Sequence, residues 1–505
     1  MAKNLIGEIL INTTTVELII YNTNSNTVVE SVHKNMQGGS DIYSSGSVPF
    51  SVARRLLVIM QGYRQLMADY DVQNVQVWAS ELFMQAANSE FIADQIKQAT
   101  GYLVKSLNSS QEEFYRNQAI RTYFPKFAKM AADNLYIIGI NSGRLDIGYY
   151  NKSEFQFSRS LLLGPIRIAE SLEEIESQIV DYPQFLTDFI GSKIADFAQV
   201  LPQLEPCQNL LVTGSDILNK FFIPVDAASA TINITEFNTL KRKIQHLSRQ
   251  ELIEQFGVQP EIVRYIMPEI FILERAFSII HAQTITLTRL AAIDGLIFAQ
   301  PDAKLPGESE IIASAENIAD QYRVEYNHRK QVETFALHIF DQLKPVHHLG
   351  HRERLLLDVV CIVHDIGNFV NSYAHYIHSA KLIQSLDFHG LSDKEQAIIA
   401  MVSQFHSSKT PVAGEYQSEA ERFNKKERLL IAKLTAILRI ADALDDSRLQ
   451  KIKTISVSLR ETEVVITATT PANILLEAWT FEQKSAFFMD VFGIQATLKK
   501  RVSRK

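Results

Sequence analysis

The sequence has few cysteines and lacks long apolar runs. Its two cysteines, Cys207 and Cys361, lie far apart and without the spacing of metal-binding thiolates, so the sequence indicates neither a disulfide framework nor a thiolate zinc site. No apolar run reaches the roughly 18 residues that a membrane-spanning helix needs. The N-terminus also lacks the apolar core and cleavage site of a secretory signal, so we expect a cytoplasmic protein without membrane partners.

An excess of positive charge is absent as well. The chain has 50 Lys and Arg against 57 Asp and Glu, a formal net charge of −7, which argues against a non-specific nucleic-acid binder. We also expect no specific nucleic-acid partner. The hydrophobic and charged fractions, 46% and 21%, are those of an ordinary folded protein. A chain of 505 residues exceeds one compact core, so we expect roughly two to four domains.

The order of predicted elements divides the chain into four parts. Residues 1–130 and 131–305 each open on alternating apolar and polar residues, typical of a hairpin, and continue with mixed strands and helices. Two such α/β lobes predict a cleft between them, where ligands usually bind. Residues 306–450 are nearly all helical in periodicity, and residues 451–505 predict a small α+β cap.

Histidines concentrate in the helical part, where ten of the 13 lie between His328 and His406. Several mainly apolar segments each contain an imidazole or a carboxylate, and a divalent metal would compensate such buried groups. Nitrogen and oxygen donors together suit Mn, Fe, Zn or Mg, which would polarise a phosphoryl oxygen or lower the pKa of bound water. The candidate ligands are His338, His364, Asp365, His378, His406 and Asp442.

Each of these side chains also has an ordinary structural explanation. A single histidine on a helix is more often a core or surface residue than a ligand, and an internal aspartate can serve only as a cap or ion-pair partner. We apply that interpretation to His347, His348 and His351 in "KPVHHLGH". His375 lies three residues before His378 and on the same predicted helix face.

The order of His338, His364 with Asp365, and Asp442 resembles the H…HD…D pattern of the HD superfamily, whose members are largely metal-dependent phosphohydrolases. The segments "LLLDVVCIVHDIGNFVN", "HYIHSAKLI" and "AILRIADALDDSR" are similar to the helical domain of the exopolyphosphatase and guanosine pentaphosphate phosphatase (Ppx/GppA) family. This resemblance implies that both lobes have the actin-like, ribonuclease-H-like ATPase fold, with the active site in the cleft.

The motifs of that cleft are altered in this sequence. The family's first phosphate loop stands as "LINTTT", its acidic motif as "SSQEEF", its second loop as "GINSGRLD" and its third as "VTGSD". In the second loop, Gly139 replaces an Asp of the family pattern. Missing glycines add Cβ atoms beside phosphate, and missing aspartates remove oxygen ligands for Mg.

The resemblance still implies roles for the residues that remain. Glu112 or Glu113 would act as the general base, with Asp146 as a second catalytic carboxylate. The phosphate-binding candidates are Thr13, Thr14, Thr15, Gly143, Arg144, Thr213 and Gly214. The alternative for "SSQEEF" is a solvated helix start with Ser109 or Ser110 as its N-cap.

Three functions follow as hypotheses. The first is an exopolyphosphatase-like phosphohydrolase that cleaves phosphoanhydride bonds of inorganic polyphosphate or guanosine pentaphosphate. The alternatives are a metal-dependent HD-domain phosphohydrolase, and an inactive regulatory homologue that binds nucleotide or polyphosphate. The cofactor is a divalent metal, Mg or Mn, with Fe or Zn also open at the HD site, and a homodimer is a further expectation.

Overall fold

The computed structural model describes residues 4–36, 42, 45–200, 205–258, 260, 262–299, 307–407 and 421–502. The chain divides into two compact units, Met1–Gln300 and Pro301–Lys505. The predicted boundary between residues 305 and 306 lies outside the described residues. The division into four parts therefore stays a prediction.

The first unit begins with a five-stranded sheet in the order β3-β2-β1-β4-β5. Strand β1 pairs antiparallel with β2 around the Thr-rich bend and parallel with β4, as the alternating pattern predicts. Every residue of β1 is buried, because helices cover the sheet. The strands are Leu5–Ile11, Thr15–Asn22, Thr27–Asn35, Asn74–Ser80 and Val104–Leu107 (β1 to β5). The helices are Phe50–Asp69, Glu81–Gln85, Ser89–Thr100, Ser109–Tyr123 and Phe127–Ala131 (α1 to α5).

A second sheet of six strands follows in the same unit, in the order β10-β11-β9-β6-β7-β8. It repeats the plan of the first sheet, since β6, β7 and β8 form an antiparallel meander while β9 runs parallel to β6 and β11 to β9. Its strands are Asn134–Ile140, Leu145–Asn151, Glu154–Leu161, Asn209–Thr213, Ser229–Asn233 and Thr284–Thr288 (β6 to β11). Its helices are Pro165–Leu172, Tyr182–Val200, Asp216–Phe222, Ile234–Gln245, Arg249–Phe256, Val263–Ile279 and Ala292–Leu296 (α6 to α12).

The repeated plan places the cleft motifs together. In both sheets the first hairpin turn and the loops after the parallel strands lie at the same end, where the strands' carboxyl ends meet. A pocket of about 320 Å³ between the two lobes is lined by Leu82, Gln85, Arg167 and Glu170, among others. The predicted duplicated architecture, two lobes with the actin-like ATPase fold, is confirmed.

The second unit is helical, with a small sheet near its C-terminal end. Its helices are Glu308–Gln321, Tyr326–Gln342, Lys344–His347, His351–Val363, His375–Ser385, Asp393–Phe405, Lys425–Ala443 and Leu475–Phe492 (α13 to α20). The strands are Thr454–Leu459, Glu463–Thr469 and Gln495–Arg501 (β12 to β14). The pattern predicts the first two strands, and the structure adds β14, which pairs parallel with β13.

None of the helices in the described residues combines the length and the apolar character needed to cross a lipid bilayer.

Candidate functional site

Six side chains of the second unit converge on one buried point. As the candidate ligands of a metal ion, they are together called the metal cluster here. They come from different elements, so only the tertiary fold brings them together. His364 and Asp365 follow the end of α16, which is apolar over "LLLDVVCIV" and therefore buried. The other members lie on α14, at the start of α17, after α18 and on α19. The cluster consists of His328, His364, Asp365, His375, His406 and Asp442.

Three of the imidazoles are oriented through Nδ1, which lies within hydrogen-bond distance of a protein oxygen. His328, His364 and His406 contact the Asp445 carboxylate and the carbonyls of Cys361 and Ser403, at 2.9, 2.9 and 2.5 Å respectively. An acceptor at Nδ1 fixes the tautomer that leaves a lone pair on Nε2, the arrangement found behind metal-bound histidines. The Nε2 atoms of His328 and His364 have no hydrogen-bond partner among the described residues.

The two cluster carboxylates divide their oxygens between cations and imidazoles. Asp442 Oδ2 lies 2.5 Å from Lys484 Nζ, while its Oδ1 lies 3.3 Å from His328 Nε2. Asp365 accepts a hydrogen bond from Arg448 at Oδ2. Its Oδ1 lies 3.3 Å from His375 Nε2. One oxygen of each carboxylate therefore faces the centre of the cluster.

Burial and the neighbouring charges set the protonation states in the cluster. Burial lowers the pKa of His364 and lowers that of His406 to about 3, so both rings are neutral ligands. Burial opposes the ionised form of Asp365, but the Arg448 guanidinium beside it helps to hold its pKa below the ordinary value. The pKa of Asp442 is likewise lowered against burial, mainly by Lys484. The cluster thus offers ionised carboxylates beside neutral imidazoles.

His328 is the exception in this group. Burial works against its charge, but the nearby carboxylates of Asp442 and Asp445 outweigh burial and raise its pKa to about 9. A bound cation beside Nε2 would replace that proton, since a ligating imidazole must be neutral.

The donor set fits a divalent transition metal. The potential ligand atoms of His328, His364 and Asp442 lie within 4.8 Å of one another, as do those of His364, Asp365 and His406. Buried imidazole nitrogens without a partner carry a desolvation cost that a metal ion would relieve.

Two predicted ligands, His338 and His378, are not in the cluster. His338 lies ten residues after His328 on α14, about 15 Å further along the helix axis. Among the described residues of α14, His328 is therefore the histidine that reaches the cluster. His378 is one turn beyond His375 on α17, and the structure places His375 Nε2 beside Asp365 and 3.3 Å from His406 Nε2.

In the first unit, Glu112 is the least buried of the three acidic candidates. It lies in the first turn of α4, whose N-cap is Asn108 rather than the predicted Ser109 or Ser110. Asn141, in the turn between β6 and β7, donates a hydrogen bond to Glu112 over 3.3 Å. Burial, partly offset by Arg116, raises the pKa of Glu112 to about 7, a value suited to a general base.

Glu113 and Asp146, the other two catalytic candidates, are buried and already bonded. Ser158 donates a hydrogen bond to Glu113. Asp146 forms an ion pair with Arg116, with 3.0 Å between Oδ2 and the guanidinium nitrogen, and accepts a hydrogen bond from Ser160. Both carboxylates are therefore already bonded within the protein, and their catalytic roles stay predictions.

The predicted phosphate-binding residues lie around the same end of the two sheets. Gly143 and Arg144 donate backbone N–H groups to the Asn141 side chain, and the Arg144 guanidinium lies 3.0 Å from both oxygens of Glu81. An incoming phosphate would have to compete with Glu81 for Arg144. A Cβ on Gly214 would lie 2.1 Å from the Ile140 carbonyl oxygen, so only glycine allows this approach.

Two threonines of the predicted loops, Thr213 and Thr15, already use their hydroxyl groups in contacts within the protein. Thr213 is buried and donates its hydroxyl to the Leu290 carbonyl. In the β1–β2 turn Thr13 is buried, and the Thr15 hydroxyl contacts Glu17 at 3.3 Å. Thr14 is half-buried in the same turn.

Family models match most of the chain. The model of the Ppx/GppA phosphatase family matches residues 25–303, and the model of Ppx/GppA phosphatase domain III matches residues 312–483.

Solved structures share the fold over somewhat more than half of the chain, at low sequence identity. An exopolyphosphatase from Cytophaga hutchinsonii ATCC 33406 is 16% identical with a TM-score of 0.51, covering 58% of this chain and 97% of that chain. The Aquifex aeolicus PPX-GPPA enzyme is 13% identical with a TM-score of 0.50, covering 59% and 99%. An exopolyphosphatase-like protein is 10% identical with a TM-score of 0.51, covering 59% and 97%.

These structures show the shared fold, and the two models account for both the lobes and the helical part. The protein therefore belongs to the Ppx/GppA phosphatase family.

Proposed function

We propose that the protein is an exopolyphosphatase-like phosphohydrolase whose divalent metal is held by the metal cluster. The observation that carries this assignment is the pair of buried Nε2 atoms, on His328 and His364, that face two ionised carboxylates without a hydrogen-bond partner among the described residues. With three imidazoles among the ligands, Mn, Fe or Zn suits the cluster better than Mg.

When bound, the metal would polarise a phosphoryl oxygen and lower the pKa of a water molecule. The side chains at the rim supply the remaining functions. Arg448 has 43% of its side chain exposed and lies against Asp365, so it can bind phosphate oxygens. His375, with 22% exposed, can hold a proton at Nε2 for the leaving oxygen. Lys484 keeps Asp442 ionised and in place.

The proposed substrates are inorganic polyphosphate and guanosine polyphosphates. Support for this class comes from family membership and from the Cytophaga hutchinsonii relative, which is described as an exopolyphosphatase.

The test is release of phosphate from polyphosphate and guanosine pentaphosphate with Mn or Mg. We expect His364→Ala/Asp365→Ala to lose metal and to reduce kcat/KM by on the order of 100-fold or more, the scale of losing a preorganised electrostatic group. His338→Ala is the matched control, because this half-buried histidine lies in the same unit outside the cluster. Unchanged turnover in the double variant, or no metal in the purified wild type, would contradict the proposal.

A second candidate function is anhydride hydrolysis in the cleft, favoured by the raised pKa of Glu112. Ionised Glu112 would accept a proton from water, so kcat/KM should fall about tenfold per pH unit below about 7. Glu112→Gln should abolish this activity, whereas Glu90→Gln, on an exposed site of α3, should keep it. A pH profile that is the same in Glu112→Gln and wild type would exclude Glu112 as the base.

If the wild type has no turnover, the variants cannot distinguish the two sites. Calorimetric titration of the wild type with polyphosphate and guanosine tetraphosphate then tests whether it binds these compounds. Tight binding without hydrolysis would indicate a regulatory homologue.

A further inference from the structure

The cleft contains a buried cation that neither proposed reaction uses. Arg116, on α4, is 4% exposed, and its guanidinium lies 3.0 Å from Asp146 Oδ2. Burial works against its charge, but Asp146, Glu113 and Glu112 together raise the pKa of Arg116. One buried guanidinium thus interacts electrostatically with three carboxylates.

The position of this guanidinium depends on Gly139, the first residue of the second motif "GINSGRLD". A Cβ at position 139 would lie 2.2 Å from a terminal guanidinium nitrogen of Arg116 and 2.3 Å from its central carbon. Any side chain at residue 139 therefore excludes the observed position of Arg116. Gly139 and Arg116 form a matched pair.

The remaining oxygens around Arg116 are also occupied. Asp146 Oδ1 accepts a hydrogen bond from Ser160 over 2.7 Å, and Glu113 accepts one from Ser158. A divalent metal at Asp146 would have to displace a buried guanidinium and meet its positive charge at close range. The residues around Asp146 do not fit the metal that the family resemblance implies for the cleft.

We propose that Arg116 is the resident cation of this cleft and takes the place of a divalent metal there. Gly139 provides the space for it, and Ser158 and Ser160 complete the bonding of the two buried carboxylates. An anionic ligand in the cleft would then bind without a divalent cation at Asp146. The inference does not depend on the metal cluster, which lies in the other unit of the chain.

The test counts bound Mn²⁺ per full-length chain by electron paramagnetic resonance, in a His364→Ala/Asp365→Ala background that removes the metal cluster. We expect this background to bind no Mn²⁺ tightly. Addition of Gly139→Asp and Arg116→Ala should create one site per chain. Further addition of Asp146→Asn should remove that site.

Two simpler measurements keep the inference testable if the multiple variants fail to fold. Wild type should bind one Mn²⁺ per chain, and Asp146→Asn alone should leave that number unchanged. Arg116→Lys, which keeps the positive charge, should gain no additional Mn²⁺. The proposal is overturned if the cluster variant retains a bound Mn²⁺ that Asp146→Asn releases. Failure of wild type to bind any Mn²⁺ would count against the metal cluster and leave this inference standing.

Discussion

Gly367→Ala is expected to deprive the second unit of the proposed metal and to destabilise it by about 1–3 kcal/mol, the cost of overpacking a core. Gly367 lies two residues after Asp365, in the 3₁₀ turn Ile366–Phe369. A Cβ there would lie 2.1 Å from the His375 carbonyl oxygen and 2.3 Å from the Ser379 nitrogen. Both atoms belong to the backbone of α17, so the helix itself must move.

Movement of α17 would carry His375 away from Asp365 and break the hydrogen bond from the Gly367 N–H to the Ser379 hydroxyl. Thermal denaturation and elemental analysis of the purified variant measure the two effects. Gly350→Ala is the control in the same unit, since its Cβ would meet only the flexible carboxylate of Glu353. Normal metal content and an unchanged Tm in Gly367→Ala would show that the turn tolerates a side chain.

Lys484→Met should produce a large loss of stability that depends on metal. Lys484 is buried on α20 and lies 2.5 Å from Asp442 Oδ2 on α19. Removing it leaves a buried carboxylate without its cation, which costs about 3–5 kcal/mol. A metal bound at the cluster would supply positive charge to the same carboxylate and offset part of this loss.

Urea denaturation with EDTA and with Mn²⁺ separates the two contributions. The deficit of Lys484→Met should be largest in EDTA and should shrink in Mn²⁺. Lys394→Met provides the comparison, because Lys394 is 78% exposed and pairs with Glu427 on the surface, where ion pairs contribute little. An equal deficit with and without Mn²⁺ would argue that the metal does not reach Asp442.

The parts of the fold that could be predicted are those with strong local patterns. The first hairpin follows from alternation around the Thr-rich bend, and α16 follows from its apolar run. His364 and Asp365 could be selected because two polar groups in such a run need compensation.

The first histidine of the cluster could not be selected from local pattern. His328 follows an Asn and precedes "RK", which is typical of a surface, whereas His338 interrupts an apolar stripe. In the structure, however, His328 is 1% exposed and His338 is half-buried. The burial of His328 results from its contacts with Asp442 and Asp445, which lie at or just after the C-terminal end of α19. The periodicity of α14 alone cannot predict contacts with a distant helix.

Arg116 was missed for a related reason. The segment "EEFYRNQAIRT" of α4 has the polar composition of an exposed helix, yet Glu113, Arg116, Asn117 and Gln118 are all buried. A buried polar helix leaves no apolar stripe to detect. The sequence signal that remains is Gly139, which stands where the family pattern has an acid. The space that the missing side chain leaves is occupied by Arg116.

The pairing of Gly139 with Arg116 also constrains how this protein can change by mutation. An aspartate introduced at position 139 alone would collide with the guanidinium. Loss of Arg116 alone would leave the buried Asp146 without its ion-pair partner. Each single substitution is therefore expected to destabilise the protein. Under the proposal that Arg116 takes the place of a divalent metal, a change to a metal-binding cleft needs both substitutions together.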